Sequence, residues 1–306
     1  MDDAGLQKQL AGEDFVISAT SPILQHLLVN RDEALFSDEV IARVRGITAN
    51  IAFQLLVARA VEAGESDPAV AAISGQDAVA RSLIEDEVFV AHIHALTLEA
   101  QLAESIRQRS GVDHVLSLLI QHLTASPDEK TAALAIRTIA AQARFIQQMR
   151  RMEMPLNELP GDLFHKALKA LQRHAGDDDC TSRASAKLRA TYDEANSRLS
   201  QLSRLVMSLG RDAMRALSVD HAGLALFTTS LAMACGEDRN LAIHSFSNNQ
   251  SARLAVSLRA AGLRKEAVEE QFLYIHPDAH LPLGIDRLTT DSAARLLASM
   301  ASEGHG

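Results

Sequence analysis

Arg183–Leu217 reads RASAKLRATYDEANSRLSQLSRLVMSLGRDAMRAL, thirty-five residues with no proline and one glycine, Gly210. Leu188, Tyr192, Ala195, Leu199, Leu202, Val206, Leu209, Ala213 and Ala216 follow one another at alternating steps of four and three. That spacing lays apolar side chains along one side of an α-helix. It predicts a single helix about 50 Å long at a rise of about 1.5 Å per residue, bent at Gly210.

The rest of the chain fits a fold built around such a rod. Of its 306 residues 47% are apolar but only 4% aromatic, and tryptophan is absent. Abundant Ala and Leu suit close helix crossings better than a sheet, which favours β-branched and aromatic residues. The expectation is an all-α, multi-helix bundle with a long central helix and repeat-like helical hairpins toward the C-terminus. The net charge of -9 opposes a surface devoted to nucleic acid, which needs a basic field to displace counterions from phosphates. Cys180 and Cys235 are too few for a disulfide framework and lie in no metal-binding spacing. The start Met1-Asp2-Asp3 lacks the basic and apolar run of a secretory signal. The most apolar window, Gly223–Cys235, is far short of the roughly 20 residues that span a bilayer. These features together predict a cytoplasmic protein without a membrane span.

Pattern and capping predict the other helices. Ser21-Pro22 opens a short helix carrying Ile23, Leu24, Leu27 and Leu28. Ser37, followed by Asp38 and Glu39, opens a longer one with the stripe Val40, Val44, Ile47, Ile51, Leu55 and Ala58, ending at Gly64. Helices follow near Gln76–Ile84, Glu87–Arg109 and Asp113–Thr124. Ser126 and Glu129 form a capping box for a helix to Met152, with Ala132, Ile136, Ile139, Ala143, Ile146 and Met149 buried. Gly161–Gln172 is a further short helix, and Asp291–Met300 closes the chain. The polar run Gly176–Ser182 divides 1–175 from 183–306, either as a domain boundary or as a loop whose aspartates lie at the positive end of the next helix.

Near the C-terminus Ala234-Cys235-Gly236, with Phe246 ten residues on, is echoed by Ala260-Ala261-Gly262 with Phe272 ten residues on. Each copy reads as a helical hairpin whose glycine ends the first helix. The run Leu254-Ala255-Val256-Ser257-Leu258-Arg259-Ala260-Ala261-Gly262-Leu263, with Phe272-Leu273-Tyr274, resembles the closing hairpin of an uncharacterised family of bacterial helical-repeat proteins of unknown function. The resemblance spans about Asp220–Pro277 and implies helical architecture, with no reaction and no catalytic residue.

Three groups of residues are candidates for function. Arg137, Arg144 and Arg151 recur every seven residues along one helix and form a basic strip for an acidic partner or phosphate. His92 and Glu99 fall in the apolar arc of Glu87–Arg109, opposite the polar side of His94, Thr97, Gln101, Glu104 and Gln108. Buried there, each needs a hydrogen-bonding partner from elsewhere in the chain, as a core polar pair or as an acid–base site. His276 and His280, flanking Asp278, sit in a loop where Pro277 opposes the helical geometry that would aim two imidazoles at one metal. Neither His92 nor His94 is followed by the acidic residue of a phosphoacceptor box. No phosphate-cradling glycine loop, dinucleotide fingerprint, nucleophile elbow or zincin helix is present. The reading is therefore a non-enzymatic protein-interaction or regulatory scaffold with no cofactor and no metal. The alternative is an enzyme or metal-dependent bundle with a buried polar site near His92 and Glu99.

Overall fold

The computed structural model describes residues 5–12, 38–247, 250–278 and 280–303, which are helical with no strand among them. The helices are α1 (residues 5–12), α2 (Asp38–Ala63), α3 (Pro68–Ile84), α4 (Glu87–Ser110), α5 (Leu118–Thr124), α6 (Glu129–Arg151) and α7 (Gly161–Ala175). They continue with α8 (Asp179–Thr191), α9 (Arg198–Ser208), α10 (Val219–Cys235), α11 (Arg239–His244), α12 (Ser251–Ala260), α13 (Lys265–Ile275) and α14 (Thr290–Glu303). The fold is thus all-α, as composition and periodicity predict. The short helix expected after Ser21-Pro22, and Ser37 itself, lie outside the described residues.

The chain divides into two compact units that interleave in sequence. The first comprises Met1–Thr20, Leu98–Gln142 and Leu202–Gly306; the second comprises Ser21–Thr97 and Ala143–Gln201. Gly176–Ser182 falls inside the second unit, where it leads into α8.

In the second unit α2 packs against α3, α7 and α8. Its predicted stripe is buried at Val40, Val44, Ile47, Ile51 and Leu55, and Gly64 ends it in a left-handed conformation at φ 74°. By length and composition α2 could cross a membrane, which the shorter window at Gly223–Cys235 could not. Half of its apolar stretch, however, is buried within the protein, as in a core helix. α3 begins earlier than predicted because Asp67 caps it, accepting from the Val70 amide at 3.1 Å, and Pro68 occupies the first turn.

The long rod does not exist. Arg183–Leu217 is split into α8, a 3-10 turn at Glu194–Asn196, α9 and a 3-10 turn at Gly210–Ala216. Two short polar side chains break it by offering the backbone local hydrogen bonds that compete with the helix. Asp193 accepts from the Ala195 amide at 3.1 Å, and Ser197, in extended backbone, accepts from the Ser200 amide at 3.2 Å. Tyr192 holds the break in place: it stacks on Phe164 with centroids 4.1 Å apart and donates its hydroxyl to the Leu159 carbonyl at 2.7 Å. Gly210, the predicted bend, does take positive φ.

α6 is rotated from its predicted orientation. Leu134, Ala135, Thr138, Ala141, Phe145 and Met149 are buried, whereas Ile136 is 57% exposed. Thr138 tolerates burial by donating its hydroxyl to the Leu134 carbonyl, and Phe145 carries the Arg198 guanidinium 3.6 Å above its ring. Asp128, not Ser126, caps α6, accepting from the Thr131 amide at 3.0 Å. Asp113–Thr124 is helical only from Leu118, because Asp113 turns the chain by accepting from the Val115 and Leu116 amides.

In the first unit α10 packs against α5, α11, α12, α13 and the 210–216 turn, and α12 packs against α14. α10 is apolar on nearly every side, with twelve buried residues. Gly236 and Gly262 end α10 and α12 with the same closure. The Glu237 amide donates to the Ala232 carbonyl at 2.9 Å, and the Leu263 amide to the Leu258 carbonyl at 3.1 Å. The helices that follow are unequal, six residues in α11 and eleven in α13, so the correspondence extends only to the glycine closures.

Candidate functional site

The polar groups of the first unit gather where α4 meets the α10–α11 turn. Glu99 is 1% exposed on α4, and both of its oxygens are bound by Arg239: Nη1 donates to Oε2 and Nη2 to Oε1, each at 2.8 Å. Arg239 opens α11 and also donates from Nε to the Thr229 hydroxyl at 3.0 Å and from Nη2 to the Ala225 carbonyl at 3.4 Å. Its planar fork suits a two-point grip on a carboxylate. A second ion pair joins the same turn to α12, with Arg253 Nη2 2.6 Å from Glu237 Oε1, the arginine buried and the carboxylate mostly so. The α10–α11 hairpin is therefore latched by charge on two sides.

The latch explains how Glu99 is accommodated. The predicted burial of His92 and Glu99 is present, at 2% and 1% exposure. His94 and Thr97, expected on the polar side of the helix, are buried as well; Thr97 donates its hydroxyl to the Ile93 carbonyl at 2.9 Å. Both carboxylate oxygens of Glu99 are held by a guanidinium, which compensates the burial of its charge. Arg239 escaped sequence reading because nothing in the pattern of residues 236–244 links it to a residue 140 positions earlier.

Beside this latch, Leu98, Leu102, Ile243 and Phe246 form an apolar cleft of about 250 Å³, with the polar side chains of Gln101, Ser105 and Ser247. Leu98, Gln101, Leu102 and Ser105 are three and four residues apart, on one side of α4. Among the described residues no charged side chain lines the cleft. The second unit carries a larger, polar pocket of about 420 Å³ among α2, α3 and α7, lined in part by Arg59, Ser74, Gly75 and His174. A Cβ on Gly75 would come within 2.6 Å of His174 Nε2, so the glycine makes room for the imidazole. Arg59 there is already bound to Asp178 at 2.7 Å and to the Thr181 hydroxyl at 3.1 Å. The Asp178 carboxyl is held down at about 2, first by the Thr181 amide and then by the Thr181 hydroxyl and Arg59.

Arg137 lies in the first unit, and Arg144 and Arg151 lie in the second. All three are exposed, and among the described residues none makes an ion pair. His276 is buried, while Asp278 and His280 are exposed. Among the described residues no three His, Cys, Asp or Glu side chains converge in metal-ligating geometry.

Two buried histidines give the first unit an acid sensitivity. Burial pushes the His114 imidazole below its usual range, with Arg107 adding to the effect and the Glu104, Asp113 and Glu99 carboxylates opposing it. Burial and Arg109 push His276 down in the same way, against the Ser245 backbone. Both are neutral in the folded chain but take a proton when unfolded below about pH 6.5. Their contribution to stability is complete above about pH 6.5 and is lost as pH falls toward the folded-state values. Urea unfolding at pH 7.5 and 5.5 is expected to show lower stability at 5.5, with a smaller difference in His114→Gln/His276→Gln.

No family model, no curated protein and no solved structure matches the chain.

Proposed function

We propose that this protein is a non-enzymatic, cytoplasmic interaction scaffold whose first unit receives an amphipathic helix of a protein partner in the cleft beside the Glu99–Arg239 latch. The observation that carries this reading is the open apolar cleft of Leu98, Leu102, Ile243 and Phe246, which has no charged lining among the described residues. A groove of this kind accepts one or two apolar anchor side chains, and the Gln101, Ser105 and Ser247 side chains supply hydrogen bonds around them. Its walls are fixed, since α4 and α11 are tied by the bidentate ion pair, so the partner does not have to order them on binding. The α6 arginines extend the reading: exposed and, among the described residues, without ion pairs, Arg137, Arg144 and Arg151 offer charge that acidic residues of a partner would neutralise.

A photoreactive p-benzoylphenylalanine replacing Gln101 in the full chain, expressed in its own cells, tests the cleft. One dominant protein adduct is expected, and adding Leu102→Glu should reduce it at least about tenfold while the helical circular dichroism is retained. An adduct that persists undiminished with Leu102→Glu, or one no stronger than that from a photoreactive residue at exposed Arg173, would reject this reading.

A further inference from the structure

The first unit holds a second polar cluster. His122 comes from α5, His221 from the first turn of α10 and Arg215 from the 3-10 turn between α9 and α10. Arg215 Nη2 lies 3.3 Å from His122 Nδ1 and 3.5 Å from His221 Nε2, and the two rings are 5.8 Å apart, tilted by 45°. We propose that these three side chains bind a small soluble oxyanion of the phosphate class, either inorganic phosphate or the phosphate group of a monoester.

The geometry leaves the guanidinium underused. At 3.3 and 3.5 Å its contacts to the ring nitrogens are long. Among the described residues Arg215 forms no ion pair. Asp220, the carboxylate that acts on His221, accepts a hydrogen bond from the Ser218 hydroxyl in the first turn of α10. Three groups able to carry positive charge thus converge on the protein surface, with Asp220 the carboxylate that acts on His221. The His221 imidazole is pushed down by burial first and then by Arg215 and His122, with Asp220 opposing, so an anion placed among them would relieve the repulsion. A tetrahedral oxyanion accepts two N–H bonds from the planar guanidinium and one from each protonated imidazole. A divalent cation does not fit, because the guanidinium already occupies the position facing both ring nitrogens.

Protonation is built into such a site. Arg215 lies against one ring nitrogen of each imidazole; a neutral ring offers an oxyanion one N–H, and a protonated ring offers two together with a positive charge. Binding therefore tightens as pH falls through the histidine range, with Asp220 the opposing charge. Sulfate isolates this effect because it stays doubly charged across that range, whereas phosphate itself titrates.

The test is nuclear magnetic resonance of the histidine Cε1–H groups in the full chain, titrated with sulfate at pH 6 and 8 and with phosphate at pH 7. The resonances of His122 and His221 should move along one isotherm, with sulfate bound roughly tenfold more tightly at pH 6. Arg215→Gln should weaken both anions at least about tenfold, and Arg173→Gln should leave them unchanged. Resonances that do not move, or that move equally with and without Arg215, overturn the proposal. Sedimentation with phosphatidic acid vesicles, together with no response to free phosphate, would assign the site to a lipid headgroup and overturn the soluble ligand.

Discussion

Arg239→Ala is expected to lower the unfolding free energy by about 3–5 kcal/mol, the range for stripping one partner from a buried ion pair. Glu99 is 1% exposed and Arg239 14%, so the carboxylate could not regain water without opening the α4–α11 contact. The Thr229 hydroxyl and the Ala225 carbonyl lose a donor at the same time. Urea unfolding followed by circular dichroism measures the loss. Glu99→Gln added to Arg239→Ala should recover part of it, because a neutral amide is far cheaper to bury than a charge. Arg239→Lys should fall between the two, since a point charge cannot bond both carboxylate oxygens and the hydroxyl from one plane. A loss below about 1 kcal/mol in Arg239→Ala would mean that the pair behaves as a solvated surface bridge, and the rigid wall invoked for the cleft would go with it.

Gly223→Ala is the second substitution with a large expected effect. Gly223 interrupts α10 at φ 71°, ψ 159°, a region essentially reserved for glycine. Backbone strain alone should cost about 1–3 kcal/mol. The added methyl would also lie 3.3 Å from the Ser117 Cβ and 3.4 Å from the Asp113 carbonyl oxygen, both in the segment leading into α5. Gly236→Ala is the internal comparison: it too has positive φ, at 66°, but nothing lies within 4 Å of its Cβ. Its loss should be about 1–2 kcal/mol from backbone alone. Denaturation midpoints that rank Gly236 as the costlier site would contradict the close approach at Gly223.

The fold class was legible because periodicity is a local property. The stripe of α2, the glycine closures at Gly236 and Gly262, and the burial of His92 and Glu99 all follow from spacing within one helix. What escaped depended on distant groups or on caps weighed wrongly. The seam of Arg183–Leu217 is a genuine 3.6-residue pattern, yet Asp193 and Ser197 sit within it, and their side chains favour caps over helix interiors. α6 offered two apolar sides, and the choice fell to Phe145, whose partner Arg198 is 53 positions further on in the sequence. Buried and half-buried arginines have no signature in a hydropathy pattern, and Arg198, Arg239 and Arg253 are of this kind. The cluster of His122, Arg215 and His221 is likewise assembled by packing, from residues 93 positions apart for the first pair.

The interleaving of the two units restricts how the molecule can be altered. Leu98–Gln142 belongs to one unit while the segments on either side of it belong to the other, so no single cut in the gene yields either unit whole. A truncation after Ala175 would strip α8 from α2 and remove α10, around which the first unit is assembled. Recombination between related genes would therefore tend to exchange this protein entire, and insertions should be tolerated at surface turns sooner than any swap of halves.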